Sequence, residues 1–221
     1  MGGVSKRTRL AAVPKRPEAR GTRARLLDAA LALLSEGGYA AATVSNIAER
    51  VGVSAGALYR HFPSKAELFV EVFRAAAGRD LSVMRTVGSE GSAIARLARA
   101  IAAHARRALA DPRLTWALIH EPVDPAVDAV RLAYRRRYAR YVASVLEAAV
   151  EAGEIPAQDV TQSAAAIAGA LCEALVGPLS PTSTRERDVD ALVAHIVRFC
   201  RLAVGADAGS PTSSTAGGEP D

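Results

Sequence analysis

Tyr59, Arg60, His61 and Lys65 gather four polar or cationic side chains into one short run. They follow Ser54-Ala55-Gly56-Ala57, where small side chains allow another macromolecule to approach the backbone closely. Donors beside a sterically open helix end suit phosphate oxygens and base edges in a major groove. Upstream, Lys6, Arg7, Arg9, Lys15, Arg16, Arg20, Arg23 and Arg25 stand against Glu18 alone before residue 26. That segment carries +8 − 1 = +7, while the whole chain carries +5. A basic block of this kind tracks phosphates by releasing counterions, or is simply a solvated tail; charge alone supports both.

Other chemistries lack their residues. The sequence holds no G-x-S-x-G, phosphate-cradling Gly loop, H-E-x-x-H or Cys/His cluster, and its four His are scattered. No catalytic group, metal or cofactor is therefore assigned, and an enzyme is not expected. His120-Glu121 beside Asp124 and Asp128 spans Pro122 and Pro125, matches no ligand spacing, and reads as a helix-end loop. Cys172 and Cys200 are far apart without C-x-x-C spacing, so neither a disulfide framework nor a zinc site is expected and a reducing cytoplasm fits. A redox sensor using either thiol stays as an alternative. The basic N-terminus has no apolar h-region behind it, and no uninterrupted apolar run reaches the length of a membrane span. No membrane partner is expected.

The elements that must position the donors read as helix after helix. Hydrophobic residues make up 50% of 221, with Ala prominent and only four Phe and one Trp, which favours helix over sheet. Residues 1–20 read as a flexible basic arm and 206–221 as a low-complexity, disordered tail. Leu27, Ala30, Leu31 and Leu34 form a helical stripe, ended by Gly37 and Gly38 as a left-handed cap. Thr43 caps a short helix burying Ile47, Ala48 and Val51. Gly52 turns the chain, Ser54 caps a third helix with Leu58 and Phe62 inward, and Pro63 stops it. Ser64-Lys65-Ala66-Glu67 has capping-box form and opens a fourth helix. Further helices are expected at about 92–110, from Pro112 to near Glu121, from Pro125 to about 151, at about 157–176, and from Asp188 to Val204. The fold class is all-α, about nine helices.

Residues 43–62 thus have the spacing of a helix-turn-helix, with Ala48 small at the crossing and Gly52 in the turn. An ordinary helical hairpin shares that spacing; the basic arm and the donor cluster favour DNA.

Over Thr22 to Val72 the sequence resembles the TetR family of bacterial repressors. The shared framework is Leu27, Ala29, Ala30, Leu33, Gly38, Tyr39, Thr43, Ile47, Ala48, Gly52, Val53, Ser54, Gly56, Leu58, Tyr59, His61, Phe62, Ser64, Lys65 and Leu68. The resemblance implies a helix-turn-helix DNA-binding domain with its linking helix over 21–80, and a ligand-binding and dimerisation domain over 81–205. It implies DNA contacts at Thr43, Val44, Ser54, Ala55, Gly56, Ala57, Tyr59, Arg60, His61 and Lys65. Tyr59, His61 and Lys65 would position phosphates, while Ala55, Ala57 and Arg60 would read bases. Expected partners are a palindromic double-stranded operator, a second copy of the chain, and a small-molecule effector.

The last two helices would form the dimer through Ala164, Ala168, Leu171, Leu175, Leu192, Val193 and Ile196. The alternative for these residues is the core of a monomer. Met84, His104, Trp116, His120, Tyr134, Tyr138 and Glu173 are candidate effector-pocket residues, and their mixed apolar and aromatic character suggests a lipophilic effector. Repression relieved by ligand is the default; activation is an alternative.

Overall fold

The computed structural model describes residues 21–183 and 188–206. The arm at 1–20 and the tail beyond 206 lie outside the described residues. Among the described residues the chain forms nine helices and no strand: α1 (Thr22–Ala41), α2 (Val44–Val51), α3 (Ala55–His61), α4 (Lys65–Val87), α5 (Ala93–Ala110), α6 (Pro112–Ile119), α7 (Pro125–Glu151), α8 (Val160–Leu179) and α9 (Val189–Ala203).

The capping residues do what their chemistry allows. Thr43, Ser54, Ser64, Ser92, Asp111, Asp124, Asp159 and Asp188 each accept a backbone N–H in the first turn of the helix they precede. Pro112 and Pro125 sit in first turns, where the missing N–H costs nothing.

Two expectations for helix ends are corrected. α1 does not stop at the glycines: Gly37 and Gly38 kink it, and helix resumes to Ala41. Gly38 takes φ 67°, ψ −158°, which is not the left-handed cap conformation but a region only glycine enters freely. α8 likewise runs on to Leu179 with Pro178 inside its last turn. A proline there costs little, because few turns remain to lose a hydrogen bond, and Ser180 N closes the end on Val176 O.

The buried stripe of α1 also lies one position from the expected one. Leu26, Ala29, Ala30, Leu33 and Leu34 are buried, while Leu27 and Leu31 are half-buried at the edge. α1 packs against α6 as well as α2, α3 and α4, so two adjacent stripes are used and a single-face pattern could not choose between them.

Buried side chains form two clusters. The first joins α1–α4 to Ala117 and Leu118 of α6 and to Val127 and Tyr134 of α7. The second is built from α5, α7, α8 and α9 around Leu97, Ile101, Leu146, Leu171 and Ile196. α8 is long and apolar enough to cross a membrane by length and composition. Its Ala164, Ile167, Leu171, Leu175 and Leu179 instead pack into the helical core.

Candidate nucleic-acid interface

α2 and α3 are held at a fixed angle by local bonds. Gly52 has φ 75°, ψ 39°, a true left-handed turn, and Val53 N donates to Ala48 O at 3.0 Å. Asn46 N donates to Thr43 Oγ1 at 3.1 Å, Asn46 Nδ2 donates to Ala41 O at 2.8 Å, and Ala57 N donates to Ser54 Oγ at 3.1 Å. Leu58 and Phe62 anchor α3 in the core at 0% and 1% exposure.

Charges surround this unit and brace it. Arg25 Nη2 donates to Val51 O at 2.7 Å, tying α1 to the C-terminal end of α2, where a cation is favoured. Arg50 pairs bidentately with Glu36 at 2.6 and 2.8 Å, which lowers the Glu36 pKa and raises that of Arg50. Arg23 pairs with Glu71 at 2.9 Å and lies 4.8 Å over the Phe62 ring. Arg23 and Arg25 therefore brace the three-helix unit; the other six basic arm residues lie outside the described residues.

What remains is an exposed face. Ser54, Ala55, Gly56, Tyr59, Arg60, His61 and Lys65 are all exposed, Tyr59 at 47%. Neither Tyr59, Arg60 nor His61 makes a side-chain hydrogen bond or ion pair among the described residues, and Lys65 only overlies Phe69 at 5.6 Å. A Cβ added to Gly56 would meet nothing nearer than Ser54 Oγ at 3.9 Å, so packing within the chain does not require glycine there. Thr43, Val44 and Ala57 are half-buried: Thr43 spends its hydroxyl on the cap, and Val44 packs on the core. Ser45 is also exposed in the first turn of α2, a small polar residue two positions after the cap.

Behind this unit a cavity of about 980 Å³ opens between α4, α5, α6, α7 and α8. Met84, His104, His120, Tyr134, Tyr138 and Glu173 all line it. Trp116 does not. Its ring lies 4.7 Å from that of His120 and packs against the second core cluster, because α6 turns that face toward α5 and α8.

One wall of the cavity is charged. Asp80 accepts from His104 Nδ1 at 2.6 Å, from Arg107 Nε at 3.1 Å and from the Tyr138 hydroxyl. Burial pushes the Asp80 pKa up, but His104, Tyr138 and Arg107 outweigh it and hold the carboxyl below its usual range. Burial and the facing carboxylate push the Tyr138 phenol far above its own range. On another wall, burial together with Arg135 and Arg131 lowers the His120 pKa, and its buried Nε2 finds no hydrogen-bond partner among the described residues.

The acids near His120 each have their own task. Glu121 accepts from Tyr39 N at 2.9 Å and pairs with Arg113; Asp124 caps α7; Asp128 pairs with Arg131 at 3.0 Å. α6 thereby links the cavity wall to the kink in α1.

The residues expected at a dimer interface lie mostly inside the chain. Ala164, Leu171, Leu175, Val193 and Ile196 are buried in the chain's own core, while Ala168 and Leu192 are half-buried. α8 is apolar nearly all round, so composition could not say which face turns inward. Apolar residues left exposed include Ala166, Ala174 and Gly177 on α8, with Val189, Phe199 and Leu202 at 40%, 53% and 52% on α9. Cys172 is half-buried and Cys200 buried; burial raises both thiol pKa values, that of Cys200 to about 11.

Comparison with known proteins meets this geometry at both ends of the chain. Residues 26–72 match the family model described as bacterial regulatory proteins, tetR family. Residues 90–175 match that of a tetracyclin repressor-like C-terminal domain. The HTH-type transcriptional repressor KstR of Rhodococcus jostii (strain RHA1) is 56% identical over 48 residues, covering 22% of this chain and 23% of the relative. Its counterpart in Mycobacterium tuberculosis (strain ATCC 25618 / H37Rv) is 47% identical over 60 residues, 27% of this chain and 26% of the relative. The match thus spans about a quarter of the length of these curated relatives. Among solved structures, the fatty acid degradation regulator FadR from Bacillus halodurans superposes with a TM-score of 0.72 at 21% identity, covering 84% of this chain and 96% of that one. The transcriptional regulator FadR from Bacillus subtilis, in complex with stearoyl-CoA, gives 0.71 at 22% identity over 83% and 98%.

Proposed function

Because the chain belongs to the TetR family of bacterial regulatory proteins, we propose that it is a cytoplasmic, sequence-specific DNA-binding transcriptional regulator, a ligand-relieved repressor acting as a homodimer. The observation that carries this reading is the α3 face. Donors at Tyr59, Arg60, His61 and Lys65 are exposed around a glycine that the fold itself does not require. In this reading the N-terminal end of α3 enters the major groove, Tyr59, His61 and Lys65 hold phosphates, and Arg60 reads a base edge.

The partner copy packs on the exposed apolar surface of α8 and α9, with Phe199 and Leu202 as its anchors. A two-fold dimer sets two α3 helices about 34 Å apart for half-sites one turn apart. The cavity holds the effector, a lipophilic molecule whose polar end finds His120 Nε2 and the arginines nearby. The stearoyl-CoA held by the Bacillus subtilis protein has that apolar-chain, polar-end character. Occupancy moves α6, Glu121 passes the movement to Tyr39 and the α1 kink, and the spacing of the recognition helices changes. Thiol-based sensing has little support, since burial keeps both cysteines protonated near neutral pH.

Selection of bound duplexes from random DNA tests the reading. A palindromic consensus bound by two chains is the expected result; sequence-independent binding by one chain overturns it. Phe199→Glu places a carboxylate on the exposed anchor, where it costs the fold little. It should yield monomers in light scattering and weaken binding to the selected palindrome by roughly a hundredfold or more, the loss expected when two half-sites no longer act together. A Phe199→Glu protein that stays dimeric removes this surface from the interface.

A further inference from the structure

A second concavity, of about 670 Å³, lies at the turn between α4 and α5. Arg85, Arg96, Arg137 and Arg140 line it together with Tyr141 and Ser144, and no carboxylate is among its lining residues. The four guanidinium groups have no ion-pair partner among the described residues. The chain elsewhere pairs its arginines readily, as Arg50 with Glu36 and Arg113 with Glu121 show.

The groove has a built floor. Tyr141 donates its hydroxyl to Met84 O at 3.1 Å, and a Cβ on Gly88 would lie 2.4 Å from that hydroxyl, so glycine makes room for it. Arg96 Nε donates to Gly88 O at 2.8 Å, which fixes its stem and leaves its terminal amino groups for another acceptor. Arg137 is held over the Tyr134 ring at 5.1 Å. Arg85 and Arg140 are exposed and make no hydrogen bond or ion pair among the described residues. Two placed guanidinium groups and two free ones thus converge on a single concave surface.

We propose that this groove binds a small molecule carrying linked phosphates, a diphosphate or a nucleoside diphosphate. Four like charges held together repel, and each guanidinium fork matches a phosphate edge bidentately. A single phosphate carries about −1.5 to −2 near neutral pH and leaves about half of that charge uncompensated, whereas linked phosphates neutralise most of it. Operator DNA is not the occupant. Arg85 lies 20 residues along α4 from Lys65, which puts the groove about 30 Å from the α3 face at 1.5 Å per residue. The groove and the effector cavity share no lining residue, and Tyr141 of the groove bonds to Met84 of the cavity between them.

Titration calorimetry of the full chain with pyrophosphate, ADP and inorganic phosphate tests it. Pyrophosphate or ADP should bind saturably and at least tenfold more tightly than inorganic phosphate. Arg85→Ala/Arg140→Ala should weaken that binding at least tenfold while leaving the thermal midpoint and the affinity for the selected duplex in place. Arg140→Gln, the gentler change, should weaken it in the same direction. Absence of saturable binding, equal affinity in the variants, or a variant that loses duplex binding but keeps pyrophosphate would each overturn the proposal.

Discussion

Gly38→Ala should cost the fold roughly 3 kcal/mol, the sum of a strained backbone and a displaced Arg113–Glu121 junction. Gly38 sits at φ 67°, ψ −158°, and its missing Cβ would fall 2.0 Å from Arg113 Nη2 and 2.4 Å from Glu121 Oε1. Both neighbours belong to the Glu121 junction that receives Tyr39 N, so relaxation would pull apart the link between α6 and α1. Gly52 is the internal control. It also has positive φ, at 75°, but nothing lies within 4 Å of its added Cβ. Gly52→Ala should therefore cost only the backbone preference, about 1 to 2 kcal/mol. Urea unfolding of the two variants measures the excess at Gly38, which combines its glycine-only backbone region with the displaced Arg113–Glu121 pair, and equal losses would show that neither adds to the cost of an ordinary left-handed position.

Gly56 should behave in the opposite sense. Alanine there removes a flexible residue from a helix and should stabilise the protein by up to about 1 kcal/mol. Operator affinity should fall about tenfold with alanine and by two orders of magnitude with Gly56→Leu, because the side chain props α3 away from the groove floor. Stability and binding moving in opposite directions is the signature of a residue kept small for a partner. Parallel changes would mean that Gly56 serves the fold.

Those two glycines mark how much the sequence itself carried. The caps at Thr43, Ser54 and Ser64 and the Gly52 turn were legible because each follows from local chemistry that neighbours do not alter. Gly38 was legible as a breaker but not as a kink, since its conformation is set by Arg113 and Glu121, more than 70 residues away along the chain. Six cavity residues were found from mixed apolar, aromatic and polar character, while the Asp80–His104–Arg107–Tyr138 cluster joins three helices and leaves no trace in spacing. Trp116 was misplaced because α6 is apolar on more than one side. The inward face of α8 and α9 was hard to choose for the same reason. Ala164, Leu171 and Val193 are apolar residues that the chain's own core buries. The exposed alternative, Phe199 and Leu202, depends on which way α9 is rolled, and only tertiary contacts with α5 and α8 set that.

The claim that most depends on geometry is that α3 and the start of α4 dock on the phosphate backbone. Lys65 tests it most directly, since it is exposed and, among the described residues, its ammonium only overlies the Phe69 ring. Affinity of the wild type and Lys65→Ala for the selected duplex should be measured across a series of salt concentrations. If Lys65 holds a phosphate, the variant binds more weakly on every duplex and its log–log salt slope is shallower by about two, one for each copy of Lys65 in the dimer. If the variant keeps both the affinity and the slope of the wild type, the docking described for this face is wrong.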